Sequence, residues 1–332
     1  MLTIRRGDPD DVVHLASLRF EWRSRERGEK GLDQQSFEKE LKEWTREHEN
    51  SHVPFLAFET ERPVGMAWLA VVDRIPGPEF LVRRSEMCIR DSDVGLDQIA
   101  LGAGSDEFIV LLARIFAENG TVATVPADSY SMYRYAALMA RASIIDDVEK
   151  ADLVFVCRPN NPTGELPDIP QVSGQLVIDE AYAHYAGVDA LEQVANGAII
   201  LRTFSKAYGL AGARVGYAVA SPELTAVITS RQAPLSVSSL SAALALAALA
   251  TPIDVSDQIA ERERLAKELT LLGLEPVPSF TNFLFIPMEH PQDLVERLLP
   301  YGVVVRAFAR GLRISVRDEL DDNVLLLSLI HI

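Results

Sequence analysis

Residues 198–220, AIILRTFSKAYGLAGARVGYAVA, give the clearest indication of the architecture. An apolar run, AIIL, leads to Ser205 and Lys206, and a loop with two glycines then leads to Arg214 and a second apolar run. Apolar runs that do not alternate with polar residues are typical of strands covered on both faces, as in a parallel sheet. An amine left unpaired in a core is costly. The segment therefore predicts a buried strand whose end presents a lysine to a crevice.

Two further apolar runs end in polar residues. LVFVC is followed by Asn160 and Asn161, and QLVI by Asp179, with Tyr182 just beyond. In an open parallel sheet, ligands bind beyond the carboxyl ends of the strands. We therefore expect an amide, a carboxylate, a phenol and the amine of Lys206 to converge on one crevice.

The segment LGAGSDEF, residues 101–108, predicts a fourth part of the same site. Two glycines precede Ser105, Asp106 and the start of a helix. Backbone N–H groups and the helix dipole at such a terminus can bind a phosphate, although a glycine turn capped by Ser or Asp gives the same pattern. An amine nucleophile must be partly deprotonated, which desolvation and cationic neighbours such as Arg214 favour. A lysine that forms an imine, an acid beside a pyridine nitrogen and a phosphate cup are the parts that pyridoxal phosphate requires.

Composition excludes several other classes of function. The 332 residues are 48% apolar and 24% charged, which is typical of a soluble globular protein of about two domains. The net charge of −16 argues against nucleic-acid binding. The apolar run AALALAALA is too short to span a membrane, and no secretory signal is recognisable at the N-terminus. Cys88 and Cys157 make no disulfide framework, so a cytoplasmic location is expected.

The pattern of elements changes along the chain. From about residue 98, short apolar runs alternate with amphipathic helices, which predicts an α/β domain. After about residue 252, a charged helix is followed by the short strands NFLFIPM, GVVVRAF and LRISV, which predicts a smaller α+β domain. Residues 1–84 differ from both, because they read as a strand, two helices and two strands.

Motifs between residues 93 and 326 resemble those of the fold-type I pyridoxal-phosphate aminotransferases. The matching segments include IALGAGSDEF, PADSYSMYRYAA, VFVCRPNNPTGEL, VIDEAYAHY, RTFSKAYGLAGARVGYAVA and GLRISV. Within that group the chain is most similar to histidinol-phosphate aminotransferases. The resemblance implies a large domain with a mostly parallel sheet between helices, a smaller α+β domain and a homodimer.

The resemblance also implies roles for individual residues. Lys206 would form the imine with the cofactor and move a proton during transamination. Asp179 would pair with the pyridinium nitrogen, and Arg313 would receive the anionic end of the substrate. No metal ligand is assigned. The full implied cofactor-binding set is Gly104, Ser105, Asp106, Tyr130, Asn161, Asp179, Tyr182, Ser205, Lys206 and Arg214.

Within this set, Ser205, Arg214 and the backbone amides of Gly104, Ser105 and Asp106 would hold the cofactor phosphate. Asn161 and Tyr182 would hydrogen-bond the ring oxygen, with Tyr182 counted among the catalytic residues. The aromatic ring of Tyr130 would stack on the cofactor ring.

The chain departs from the family pattern before residue 93. The family's N-terminal arm, with an NENP-like motif, is not recognisable, and residues 1–84 instead resemble the first half of a GNAT-type N-acetyltransferase. No Q/R-x-x-G-x-G/A pattern follows Val82, so we expect no acetyl transfer. SEMCIRDS and LSLIHI resemble translated adapter sequence, which predicts a chimaera of two gene pieces. Because the family's arm helps to form the substrate pocket, we expect the chain to bind the cofactor weakly and to transaminate poorly. The predicted segments are a GNAT-like fragment (1–84), a junction (85–92), a large cofactor-binding domain (93–251), a small domain (252–326) and a tail (327–332).

The resemblance implies the transfer of an amino group from histidinol phosphate to 2-oxoglutarate, in histidine biosynthesis. Small-molecule amino donors and 2-oxo acids are therefore the expected partners. An aromatic amino-acid aminotransferase and a threonine-phosphate decarboxylase remain alternatives of the same fold. An N-acetyltransferase and an inactive chimaera are the alternatives from other classes.

Overall fold

The computed structural model describes residues 2–7, 11–18, 34–47, 52–60, 62–70 and 94–331. The chain divides into two units, Met1–Ile75 and Pro76–Ile332, which are described separately. The predicted junction at 85–92 lies outside the described residues.

The first unit contains a three-stranded antiparallel sheet in the order β1-β2-β3. Its core includes Leu15, Leu56 and Phe58. The order strand, helix, helix, strand, strand, predicted from the sequence, is confirmed in the described residues, while the resemblance to an N-acetyltransferase stays a prediction. The elements are β1 (Leu2–Arg6), α1 (residues 12–18), α2 (Gln34–Glu47), β2 (His52–Glu59) and β3 (Arg62–Ala70).

The second unit is built around a seven-stranded sheet in the order β4-β10-β9-β8-β7-β5-β6. Strand β10 is antiparallel to both β4 and β9, and the remaining pairs are parallel. The strands are β4 (Ile99–Gly102), β5 (Thr121–Val125), β6 (Ser143–Ile144), β7 (Leu153–Cys157), β8 (Gln175–Asp179), β9 (Ile199–Thr203) and β10 (Gly216–Val219). The helices connected to them are α3 (Ser105–Phe116), α4 (Ser131–Met139), α5 (Ala183–Ala186), α6 (Pro222–Arg231) and α7 (Ser239–Leu249).

Strand β7 shows why its sequence does not alternate between polar and apolar residues. Successive side chains of a strand point to opposite faces of the sheet. Leu153 and Phe155 pack into a core on one face, and Val154 and Val156 pack into a second core on the other. Because both faces are covered, every position of the strand is buried. The prediction of a mostly parallel α/β sheet between helices is confirmed.

A smaller α+β region follows, as the sequence predicted. Its three antiparallel strands have the order β11-β13-β12. The amide of Phe280 donates a hydrogen bond of 2.7 Å to the carbonyl of Gly164, which connects this region to the loop after β7. The elements are α8 (Ser256–Leu271), β11 (Phe283–Pro287), α9 (Pro291–Leu298), β12 (Arg306–Phe308), β13 (Gly311–Ser315) and α10 (Glu319–His331).

Helix α10 runs through residues 327–331, and the adapter origin proposed for that tail stays a prediction. Of the helices in the described part of the chain, none combines the length and the apolar character needed to cross a membrane.

Candidate active site

The carboxyl ends of β7, β8 and β9 lie side by side and form the floor of a cavity of about 210 Å³. Asp179, the last residue of β8, is paired in register with Cys157 on one side and Leu201 on the other. The strand ends therefore meet as the sequence predicted. The cavity is lined by Ser105, Asp106, Tyr130, Cys157, Asn161, Asp179, Ala181, Tyr182, Thr203, Ser205, Lys206, Ala211 and Arg214.

The carboxylate of Asp179 is the buried acid of the cavity, with 3% of the residue exposed. Its Oδ1 accepts a hydrogen bond of 3.0 Å from the Ala181 amide, and its Oδ2 accepts one of 2.9 Å from the Tyr133 hydroxyl. Burial raises the pKa of this carboxyl from 3.8 to about 6, and the two hydrogen bonds act against the rise. A cationic ring nitrogen beside Asp179 would stabilise the ionised carboxylate, which burial destabilises, and would therefore lower its pKa.

Lys206 lies in the turn that follows β9. The turn is held by hydrogen bonds from the Ser205 amide to the Thr203 hydroxyl (3.1 Å) and from the Gly209 amide to the Lys206 carbonyl (2.9 Å). The Lys206 Nζ lies 5.1 Å from the centre of the Tyr182 ring. Burial lowers the pKa of the amine below its ordinary 10.5, and the positive charge of Arg313 lowers it further. Both effects increase the neutral, nucleophilic fraction of the amine.

The start of α3 and Arg214 form a concave surface suited to a phosphate. Gly104 has a φ of +88°, and a Cβ on it would lie 2.6 Å from the Arg214 Nη2. A Cβ on Gly216 would lie 2.6 Å from the Ser105 nitrogen, so glycine is required at both positions for this close approach. The first turn of a helix leaves backbone N–H groups without intrahelical partners. The absence of side chains at Gly104 and Gly216 therefore lets the Arg214 guanidinium lie beside the free N–H groups of α3, and together these groups can bind an anion.

Asp106 contacts both Arg214 and Tyr130 at this terminus. Its Oδ2 accepts a hydrogen bond of 3.2 Å from Arg214 Nη2, and its Oδ1 accepts one of 3.1 Å from the Tyr130 hydroxyl. These contacts hold the guanidinium and the Tyr130 ring at the edge of the cavity.

Arg313, from β13, reaches the same cavity through Asn161. Its Nη1 donates a hydrogen bond of 2.6 Å to the Asn161 Oδ1, and its guanidinium lies 4.8 Å from the centre of the Phe283 ring. The buried Nε of Arg313 has no hydrogen-bond partner among the described residues. An unpaired buried donor of this kind is costly unless a ligand satisfies it. Arg306, predicted as a surface charge, is exposed and faces Arg313 across the β12–β13 pair.

The structure brings together the eleven residues of the predicted site. Gly104 lies against Arg214 and Arg313 is bonded to Asn161, while the other nine line the cavity itself. Their individual roles remain predictions. Cys157, predicted as a packing residue, is buried and also lines the cavity, and burial raises the pKa of its thiol to about 12.

Tyr133 was missed by reasoning from the sequence. Its hydroxyl donates to Asp179, and its ring is fully buried. The available signal was its position three residues after Tyr130, in the first turn of α4. That spacing does not reveal which acid the hydroxyl meets.

These residues fit pyridoxal phosphate on three observations of the structure. The cradle at Gly104 would be filled by a Cβ, the buried Asp179 faces the cavity, and Lys206 supplies the same cavity with an amine whose pKa is lowered. An anion site, an acid for a ring nitrogen and a nucleophilic lysine are the chemical requirements of that cofactor.

Comparisons with known proteins agree with this geometry. The family model for aminotransferase class I and II matches residues 93–326. A histidinol-phosphate aminotransferase of Thermoanaerobacter pseudethanolicus is 37% identical over 266 residues, covering 68% of this chain and 76% of the relative. An aromatic amino acid aminotransferase of Cutibacterium acnes is 32% identical over 268 residues, covering 69% and 76%.

Solved structures show the same fold. The crystal structure of the Sinorhizobium meliloti histidinol-phosphate aminotransferase in complex with pyridoxal-5'-phosphate has a TM-score of 0.66 and 26% identity, covering 76% of this chain and 81% of that one. The chain therefore belongs to the class I and II aminotransferases, a family of pyridoxal-phosphate-dependent enzymes.

Proposed function

We propose that the chain transfers the amino group of histidinol phosphate to 2-oxoglutarate, giving imidazole acetol phosphate and glutamate in histidine biosynthesis. The observation that supports this most is the environment of Arg313. Its guanidinium is anchored to Asn161, while its buried Nε has no partner in the described part of the chain. A guanidinium can bind a phosphate or a carboxylate through two parallel hydrogen bonds. Arg313 therefore suits the anionic end of both substrates, and the similarity to histidinol-phosphate aminotransferases selects the phosphorylated donor.

The anion-binding end of the cavity would hold the cofactor phosphate. We assign this role to Ser205, Arg214 and the backbone amides of Gly104, Ser105 and Asp106. The glycine cradle allows the guanidinium to approach the first turn of α3. A helix N-terminus favours negative charge, so backbone and side chain act in the same direction.

The polar end of the cavity would orient the cofactor ring. Asp179 would hold a proton on the ring nitrogen, and Asn161 and Tyr182 would donate to or accept from the ring oxygen. Tyr130 lies beside the cavity, where its ring can pack on a planar ligand. When bound, pyridoxal phosphate supplies an aldehyde carbon that links to amines and a ring that withdraws electrons from the substrate carbon.

Lys206 would carry out the proton transfers. Its Nζ would accept the proton from the substrate carbon that bears the amino group and would release it again later in the transfer. A general base works best when its pKa lies near the working pH. Burial and the positive charge of Arg313 lower the pKa of the Lys206 amine toward that range. Arg313 would thus bind the substrate anion and tune the base.

An aromatic amino-acid aminotransferase is the second candidate, because the Cutibacterium acnes relative carries that name at 32% identity. The two functions share the chemistry of Lys206 and Asp179 and differ in the donor's anion. A site for histidinol phosphate must accommodate a doubly charged phosphate, whereas one for phenylalanine must accommodate a carboxylate and an apolar ring.

Half-reactions with single donors test the proposal. The full chain is loaded with pyridoxal phosphate, and histidinol phosphate, phenylalanine or threonine phosphate is added without a 2-oxo acid. We expect histidinol phosphate to convert the cofactor to its amine form with the highest second-order rate constant. A higher constant for phenylalanine would favour the second candidate, and no conversion by any donor would contradict transamination. Titrating the chain with pyridoxal phosphate also measures its affinity for the cofactor, which we expect to be low because the family's N-terminal arm is not recognisable in the sequence.

The geometry of the active site does not address three other properties of the chain, which are its oligomeric state, its location in the cell and the role of its first unit. We infer a homodimer from the family resemblance, which sedimentation of the full chain tests. We infer a cytoplasmic enzyme from the two cysteines and from the proposed pathway. Calorimetry with acetyl-CoA tests the N-acetyltransferase alternative for residues 1–84, and heat of binding would revive it.

A further inference from the structure

We propose that Tyr133 is a positioning residue, whose hydroxyl fixes and keeps ionised the carboxylate that faces the pyridine nitrogen of the cofactor. The inference rests on the proposed cofactor role of Asp179. It assigns a function to a residue outside the predicted active-site set.

The tyrosine is held rigidly between a helix and the central sheet. Tyr133 is fully buried on α4, and its ring stacks on Phe155 of β7 with centres 4.8 Å apart and planes 6° from parallel. The ring of Tyr130 meets it edge-on at 5.7 Å. Contacts on these sides leave the hydroxyl directed at the Asp179 Oδ2, 2.9 Å away.

The hydroxyl acts as the donor of this hydrogen bond. Burial, and then the negative charge of Asp179, raise the pKa of the Tyr133 phenol well above 10, so the phenol keeps its proton. An ionised carboxylate can only accept, and each of its oxygens has two acceptor sites. With Oδ2 held by Tyr133 and Oδ1 held by the Ala181 amide, the plane of the carboxylate is fixed from both ends.

Fixing the carboxylate also controls where a shared proton resides. Hydrogen bonds to the charged form of an acid favour ionisation, whereas burial opposes it. Without the phenol donor, Asp179 retains one hydrogen bond, from the Ala181 amide, against its burial. A proton shared with a pyridine nitrogen would then move toward the carboxyl, and the ring would be held less tightly as a cation.

The substitution Tyr133→Phe separates this role from simple packing, because it keeps the ring stacked on Phe155 and removes one oxygen atom. The matched control is Tyr135→Phe, which removes a hydroxyl from an exposed residue of the same helix. Equilibrium affinity is measured for pyridoxal phosphate and for its 1-deaza analogue, in which a C–H group replaces the ring nitrogen.

We expect Tyr133→Phe to weaken pyridoxal phosphate binding about tenfold, the size of the loss of a hydrogen bond to a charged group. The deaza analogue should bind the variant and the wild type within about twofold, since it carries no ring proton for Asp179 to hold. Tyr135→Phe should change neither affinity.

Three results would overturn the inference. Equal losses with both ligands would show that the hydroxyl only supports the shape of the cavity. Equal affinities of variant and wild type for pyridoxal phosphate would show that the hydroxyl does not act on Asp179. If the wild type binds neither ligand, the proposed cofactor function itself fails, which distinguishes that failure from the first two.

Discussion

Arg313 of β13 donates a hydrogen bond of 2.6 Å from its Nη1 to the Oδ1 of Asn161, although 152 residues separate the two in sequence. The bond joins the small antiparallel sheet to the loop that follows β7 of the large sheet. A substrate anion bound by Arg313 would therefore lie beside the residue proposed to orient the cofactor ring. The position of the anion and the position of the ring are coupled through one side-chain contact.

Replacing Arg313 by Gln should lower kcat/KM about 100-fold for histidinol phosphate and for 2-oxoglutarate, because a charge-assisted hydrogen-bonding pair with either anion is lost. The values come from steady-state kinetics with each substrate varied in turn. Arg310→Gln is the control, since it removes an exposed guanidinium in the turn between β12 and β13. A loss confined to one of the two substrates would contradict a shared anion site.

Replacing Lys206 by Ala should abolish covalent attachment of pyridoxal phosphate, because no other amine lines the cavity within the described residues. Borohydride reduction followed by peptide mass spectrometry measures the attachment and locates it. Lys150→Ala, which removes an exposed amine paired with Asp147, should leave labelling unchanged. Equal labelling of the Lys206→Ala protein would mean that another lysine holds the cofactor.

Sequence reasoning succeeded for the residues at strand ends. The carboxyl ends of neighbouring parallel strands share one edge of a sheet, so the sequence alone predicts that Asn161, Asp179 and Lys206 meet. The antiparallel direction of β10 was not predictable from its apolar run, because periodicity does not encode strand direction. The contact between Tyr133 and Asp179 depends on the rotation and height of α4 against the sheet, which packing over many residues determines.

The amine of Lys206 should attach to pyridoxal phosphate with a rate that rises with pH through an apparent pKa below 10.5. Burial is the main cause of the lowered pKa and Arg313 the next, while Asp179 and Asp106 act in the opposite direction. Arg313→Gln removes a positive charge and should move this apparent pKa upward, so attachment at neutral pH becomes slower. The measurement is the pH profile of the rate of attachment, trapped by reduction. A downward shift in the variant would contradict the assigned cause.

Replacing Gly104 by Ala should weaken pyridoxal phosphate binding about tenfold or more, because the new Cβ would lie 2.6 Å from the Arg214 Nη2 and displace the guanidinium. The matched control is Gly273→Ala. Gly273 has a similar φ of +83°, and a Cβ there would meet nothing within 4 Å. Both variants should lose about 1 kcal/mol of unfolding free energy from backbone strain, and affinity should fall in the first alone. Equal affinities in the two variants would contradict the close approach of Arg214 to the phosphate.

Asp179→Asn should stabilise the cofactor-free protein at pH 7 and destabilise it relative to the wild type when pyridoxal phosphate is bound. The folded pKa of Asp179, about 6, lies above its ordinary 3.8, so the folded state binds more protons between these values. The carboxyl's favourable contribution is complete below pH 3.8 and is lost as pH rises through 6, a loss of roughly 3 kcal/mol.

Urea unfolding of both proteins from pH 4 to pH 7 measures this difference. Asp322, whose pKa burial also raises to about 6, is present in both proteins, so its contribution cancels. We expect the wild-type free energy of unfolding to fall relative to that of the variant as pH rises. Parallel profiles would mean that Asp179 is not held in a desolvated site. Bound cofactor should reverse the order at pH 7, since only the carboxylate can compensate a protonated ring nitrogen.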